Sequence, residues 1–345
     1  MFLRRLGNTT IWALGGLTLF VTAVSSVTVG PMHIGFWQSV QSLMFQSQDL
    51  APHINLVIHE IRFPRTLLCM LVGAILALCG SVMQGLFRNP LAEPGIIGVS
   101  AGASLGAATA IVLFSSISQN HPQFMNLAAV PLFAFLGGAL TTVLVYKLGT
   151  TKMGTSVTIM LLAGVAISAL SGAGIGYMSF VADDQMLRDL SLWSMGSMAG
   201  ANWSSILLCA TTLTLLMAVF TYKAMALNAL LLGEAEAAHL GIPVQKLKRQ
   251  LILLSAIGVG VTVSVSGMIG FIGLVIPHLG RMISGPDHRT LLPLSALMGA
   301  LLLTLADMFS RVAVAPAELP VGIVTALIGA PFFIYLLFKQ KGTIL

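Results

Sequence analysis

The chain has 345 residues, 57% of them hydrophobic and only 8% charged, with a net charge of +6 and a mean hydropathy of +0.95. Soluble domains carry about 25% charged residues, so this composition excludes an ordinary globular enzyme and makes the bilayer the main solvent. Long apolar runs such as 159–175 also exclude a β-barrel, which needs short alternating strands, and leave the helix as the spanning element.

Arg4 and Arg5 precede an apolar run over 11–29. A signal peptide starts in the same way, but this run is long and many more follow, so it reads as the first transmembrane helix. Residues 30–62 read as a polar connection. Its His33, His53 and His59 are too widely spaced, and too poor in carboxylate partners, to read as a metal site. Further spans are expected at 63–83, 96–114, 127–148, 156–177, 204–222, 250–265, 271–283, 291–312 and 321–338, which makes ten. The run 271–283 is short and interrupted by Pro277, so it need not cross as a straight helix. The outward loop 178–203 carries Trp193 and Trp203, residues suited to a membrane interface.

Ten spans put both termini on one side. With the N-terminus inside, the inner segments hold 13 of the 17 basic residues and the outer ones only Arg62, Arg65, Arg188 and Arg311. The positive-inside rule therefore predicts a multi-pass membrane protein with both termini cytoplasmic. The whole of 1–345 reads as one transmembrane domain.

One inner stretch stands out. Residues 228–249 form a polar island between apolar runs, with two acids, a histidine and three basic residues. Asn228 is placed to cap a short helix, Gly241 to end it in the left-handed region, and Pro243 to stop it. A helix of about 12 residues is about 18 Å long, too short to span and long enough to dock into a partner.

Chemistry-bearing motifs are scarce. The run 149–156 has the glycine spacing of a nucleotide-binding loop, but Thr155 stands where the phosphate-contacting lysine belongs, and a short inner turn is the better reading. There is no HExxH and no pair of carboxylates at catalytic spacing. The sequence reads as a transport subunit rather than an enzyme. No cofactor is expected on this chain; ATP and Mg²⁺ would be used by a separate ATPase subunit. Cys69, Cys79 and Cys209 lie inside apolar runs and read as inert buried thiols. Asp307 and Arg311 are four residues apart and share a helix face, which suggests a local ion pair. A proton carrier at Asp307 would instead make the chain an ion-coupled secondary transporter. His278, after Pro277, reads as satisfied by a backbone carbonyl, and Glu318 as part of a proline-bracketed outer turn. Gly98, Ser100, Gly102 and Ser104 form a small-residue run that serves either close helix packing or the lining of a translocation path. Arg62, Arg65 and Arg311 flank span ends on the outer face, where they could meet lipid phosphate or acids of a docking protein.

Several stretches together resemble a family. They are Arg62-Phe-Pro-Arg-Thr66, Gln84-Gly-Leu-Phe-Arg-Asn-Pro-Leu-Ala-Glu-Pro-Gly95 with Gly98-Val-Ser-Ala-Gly102, and Leu232-Gly-Glu-Ala-Glu-Ala-Ala-His-Leu-Gly241. Beside them stand Ser266-Gly-Met-Ile-Gly-Phe-Ile-Gly-Leu-Val-Ile-Pro-His-Leu-Gly-Arg281, Asp287-His-Arg-Thr-Leu-Leu-Pro293, Ala317-Glu-Leu-Pro-Val-Gly322 and Gly329-Ala-Pro-Phe-Phe333. The chain resembles the permease subunits of type II ABC importers for ferric siderophores, haem and cobalamin. The resemblance implies an all-α polytopic fold of about ten transmembrane helices per subunit, working by alternating access. It implies a permease homodimer, two cytoplasmic ATPase subunits, a periplasmic substrate-binding protein and no nucleic acid. It makes Gly233, Glu234, Glu236, His239, Leu240 and Gly241 the ATPase-coupling residues. Arg62, Arg65 and Arg311 become the docking residues for the binding protein. The stretch 183–203 and the island sequence look most like haem permeases, with ferric siderophore as the second substrate and cobalamin the third.

Overall fold

The computed structural model describes residues 8–45, 51–114, 128–151 and 154–344. Arg4, Arg5 and Lys152, three of the basic residues counted above, lie outside them. The regular elements among the described residues are helices apart from one two-strand hairpin. Seven of their helices are long and apolar enough to cross a membrane, and three shorter apolar ones, Val99–Leu113, Ile272–Ser284 and Val321–Leu336, bring the set to ten.

Helices α1 (Asn8–Thr28), α2 (Phe36–Phe45) and α3 (Pro52–Leu56) open the chain. A π-helical turn, Val57–Arg62, joins α3 to α4 (Phe63–Leu86) without a break. Among its described residues the connection 30–62, expected to be a solvated loop, is thus largely helical. Ile58, Ile34 and Val27 of α1 close a small core over it, which a purely polar reading of the segment overlooks.

Helix α4 is the hub, and nearly every side chain along it is buried. It is followed by α5 (Val99–Leu113), α6 (Val130–Gly149), the hairpin β1 (Thr150–Thr151) and β2 (Gly154–Thr155), and α7 (Val157–Val181). Then come α8 (Asp184–Met195), α9 (Trp203–Tyr222), α10 (Ala224–Leu232), α11 (Glu234–His239) and α12 (Val244–Ser266). The last three are α13 (Ile272–Ser284), α14 (His288–Val312) and α15 (Val321–Ile344). The hub α4 touches α1, α9, α10, α12, α13 and α14.

Lipid gives helices no hydrophobic reason to associate, so close backbone approach must supply the attraction. Gly73 of α4 and Gly299 of α14 face one another so closely that a Cβ on either would enter the other's carbonyl oxygen. Gly102 of α5 and Gly137 of α6 repeat the arrangement in a second seam.

Helix α13 has 13 residues with Pro277 inside it, about 20 Å at 1.5 Å per residue, and is the shortest of the ten. It starts at Phe271, a non-glycine residue at φ 68°. The Phe271 N–H donates to the Glu93 carboxylate at 3.2 Å. Burial pushes the Glu93 carboxyl up, against the pull of that hydrogen bond. The stretch 178–203, expected as a loop, contains α8, whose start is capped by Asp183 accepting from Met186 N–H at 2.8 Å.

Candidate functional site: a coupling end and an arginine end

The polar island folds at the end of the bundle where α4 finishes and α14 begins. It is not one helix capped by Asn228. Gly233, at φ 137°, breaks it into α10 and α11, and only glycine holds that conformation without strain. Asn228 sits inside α10 and caps something else. Its Nδ2 donates to Asp287 Oδ1 at 2.7 Å, while its Oδ1 accepts from the His288 backbone N–H at 2.9 Å and faces His288 Nδ1 at 2.8 Å. One amide thereby fastens α10 to the first turn of α14. Asp287 also caps α14 by accepting from Arg289 N–H. The Arg289 guanidinium, with the Asn228 amide, holds the Asp287 carboxyl well below the usual carboxylate range. Gly241 lies in the left-handed region at φ 82°, as expected.

Of the six residues assigned to coupling, Gly233 is buried, and Glu236, His239, Leu240 and Gly241 are exposed on the rim of α11. Glu234 is half-exposed, at 47% of its side chain, and is already occupied: it pairs with Lys248, only 2% exposed, in the first turns of α12. Lys248 Nζ also donates to Thr155 O in the hairpin at 3.1 Å.

The opposite end of α4 and α14 holds the other charged group. Arg62, Arg65 and Arg311, expected on the outer face, are 4%, 5% and 2% exposed. Asp307, fully buried, joins Arg65 and Arg311. Arg65 reaches it with Nε at 3.0 Å and Nη2 at 2.8 Å; Arg311 reaches it with Nε at 2.8 Å and with Nη2. Arg65 Nη1 goes on to Glu318 at 2.7 Å. Arg62 donates to the carbonyl oxygens of Val27, Thr28 and Met32, and Arg311 to those of Ser26 and Val29. The charges thus fasten the start of α4 and the end of α14 to the end of α1 and the turn after it. The Asp307–Arg311 pair expected from the sequence is present, and Arg65 is its third member, which leaves Asp307 no resemblance to an isolated proton carrier. A cleft of about 220 Å³ opens above the group, lined by all three arginines and Glu318 together with Gly30, Pro31 and Met32.

Comparison with known proteins decides the class. The FecCD transport family profile matches residues 17–339. The hemin transport system permease protein HmuU of Yersinia pestis is 43% identical over 328 residues, 94% of each chain. The vitamin B12 import system permease protein BtuC of Klebsiella pneumoniae is 39% identical over 334 residues, 96% of this chain and 94% of that one. A solved inward-facing metal-chelate type ABC transporter superposes with a TM-score of 0.81 at 34% identity, covering 96% of this chain and 100% of that one. The chain belongs to the FecCD transport family. It is a membrane permease of ABC importers, a transport subunit rather than an enzyme, and it works with ATPase and substrate-binding partners.

Within this FecCD permease the small-residue run divides. Gly98 (φ 83°) and Gly102 lie against α6, and Thr141 donates to Gly98 O at 3.0 Å. Ser104 donates to Ser100 O at 3.0 Å and faces Met268 Sδ at 2.8 Å. Cys69, Cys79 and Cys209 are buried thiols. His59 Nε2 is bonded to Ser42 O at 3.1 Å, and His278 packs edge-on against Phe332. Among the described residues no group of histidine, cysteine and acid side chains is placed to hold a metal ion. Sequence reasoning missed the joining role of Asn228, the Arg65–Asp307 pair and the burial of Lys248. The last left a signal: Val244, Leu247, Lys248, Leu251 and Ile252 are spaced along one helix face, and all are buried.

Proposed function

We propose that this permease imports haem across a bacterial inner membrane, as a homodimer with both termini cytoplasmic. The observation that carries the substrate is the 43% identity to a hemin permease along 94% of both chains. The charge bias supports the orientation and puts the island on the cytoplasmic face. There the exposed Glu236, His239, Leu240 and Gly241, beside exposed Leu232, form the surface offered to an ATPase groove. Gly233 sets the bend that presents them, and Glu234 backs them from beneath. On the outer face, three guanidinium groups stand over two carboxylates, a net positive site under an open cleft. That matches an acidic side chain of a binding protein entering over Arg62, Arg65 and Arg311. Gly172 and Gly176 of α7 have nothing within 4 Å of a Cβ position. Their four-residue spacing on an exposed helix suits close packing of a second copy. In the path assignment, Gly98 and Gly102 shape the wall by packing on α6, and Ser100 and Ser104 supply its polar edge.

The test is ATP hydrolysis by the assembled complex in liposomes, with binding protein loaded with haem, ferric siderophore or cobalamin. Stimulation by the haem-loaded protein above the other two is the expected result. Stimulation by the cobalamin-loaded protein alone would establish the second reading, which the 39% identity to a vitamin B12 permease over 96% of this chain favours.

A further inference from the structure

Lys248 occupies a position that elementary electrostatics disfavours. It lies in the second turn of α12, near a helix N-terminus where a positive charge opposes the helix dipole, and it is 2% exposed. A buried ammonium is retained only where it is paired and hydrogen-bonded. Its two partners belong to different elements: the Glu234 carboxylate at the start of α11, and the Thr155 carbonyl at the end of β2, 3.1 Å away. The same hairpin residue is held a second time, since the Thr155 N–H donates to Gln245 Oε1 at 2.9 Å. Both backbone polar groups of Thr155 are therefore gripped from α12, by side chains three residues apart and so on one helix face. Gly154, at φ 120°, lets Gln245 lie against the hairpin where a Cβ would collide with its amide. The hairpin in turn joins the last residue of α6 to the start of α7. The chain connects α11 to α12 directly, but it connects α11 to the hairpin only through about 80 residues of intervening sequence; the ammonium does so in two contacts.

We infer that Lys248 is a positioning residue that carries displacement of α11 to the hairpin and hence to the ends of α6 and α7, with Glu234 as the input and Thr155 as the output. This rests on the coupling reading above for its biological meaning, though the mechanical tie stands on the geometry alone. Glu234 thereby acts inward on its own chain, while Glu236 and His239 face outward to the partner. Lysine suits the role because a single charged point on a flexible stem can follow both partners as they shift.

Two measurements test the tie. The first is amide hydrogen exchange on the full permease in detergent, comparing wild type with Lys248→Met and Glu234→Gln. Lys248→Met keeps the apolar stem; Glu234→Gln touches no hairpin atom. The expected result is faster exchange at Thr155 in both variants, by about tenfold, with the α6 and α7 interiors unchanged and Lys248→Arg close to wild type. Unchanged hairpin exchange in Glu234→Gln overturns the tie, because a merely local role for Lys248 predicts that outcome. The second is substrate transported per ATP hydrolysed by the complex in liposomes. Both variants should lower this ratio while hydrolysis continues, and a wild-type ratio in both overturns the transmission role. A wild-type complex that transports nothing with ATP would overturn the functional reading instead, and the exchange result would still decide the tie.

Discussion

At one end of this permease three guanidinium groups share Asp307, Glu318 and five main-chain carbonyl oxygens from the end of α1 and the turn after it. At the other end a single ammonium has one carboxylate and one carbonyl. Both are buried cations, but the first group is redundant and the second is not. Arg65 and Arg311 are each fixed by several planar donors, so no one element can move without breaking many bonds. Lys248 has a rotatable point charge between two elements, one of whose partners is half in solvent. Redundancy suits a clamp that fixes α1, α4 and α14 together. Its absence suits a joint. The lesson is that counting buried charges says less than counting how many elements each one answers to.

The comparison can be broken most forcefully at Asp307. Asp307→Asn leaves two buried guanidinium groups facing each other, and breaking such a pair costs about 3–5 kcal/mol. A thermal melt of the detergent-solubilised permease should show a larger loss than Asp287→Ala, Lys248→Met or Glu318→Gln produces. A melt like wild type would mean that the carbonyls alone hold the clamp. Next in size is Asp287→Ala, which removes the cap of α14 and the acceptor for Asn228, at a cost of about 1–2 kcal/mol. The Asp287 carboxyl is held low by Arg289 in the folded state and rises when the chain unfolds. Its contribution is therefore fully present above the unfolded carboxylate range, about pH 4, and is lost as pH falls through the lower folded value. The gap in melting temperature between wild type and Asp287→Asn should be flat near neutrality and close in acid.

Lys248→Met sharpens the contrast from the other side. Removing one partner is costly when the other stays buried, but Glu234, 47% exposed, can turn to water, so stability should change by less than about 1 kcal/mol. A loss as large as that of Asp307→Asn would make the joint a second clamp. Smallest is Glu318→Gln, where Arg65 keeps Asp307 and only one partly exposed pair weakens, by about 0.5–1 kcal/mol. Its sign in a binding assay is the informative part. If an acidic group of the binding protein enters the cleft, removing Glu318 as a rival for Arg65 should tighten docking, and weaker docking would place Glu318 in the contact itself.

Much of this was legible in the chain. The spans appear at the residues where apolar runs begin and end, because lipid makes helix and hydropathy nearly the same statement. Asp307 and Arg311 could be paired because four residues make them neighbours on any helix. What could not be read is what joins distant segments. Arg65 looked like an outer surface charge because positive-inside counting treats every basic residue as solvated, and its carboxylate lies on another helix. Lys248 was counted as an inner solvent charge for the same reason, although its neighbours on the helix face were apolar. Asn228 was a good helix cap by residue type, and it is one, but through a tertiary contact to α14 rather than for its own helix. The substrate was the least legible, since relatives named for hemin and for vitamin B12 match this chain at 43% and 39% identity.

The sequence distance between Arg65 and Asp307, 242 residues, also sets an order of events during synthesis. Arg62 and Arg65 are made with the first quarter of the chain and Asp307 only in the last. Asp307 and Arg311 emerge one turn apart, so α14 brings its own neutralising pair to the translocation machinery. Arg62 finds the carbonyls of α1 already made, whereas Arg65 has to remain near the water of the interface, where an unpaired charge costs less than the ~2.5–3.5 kcal/mol of a helix centre. The clamp therefore closes only after α14 has been made, and its closure couples the N-terminal helices to that step.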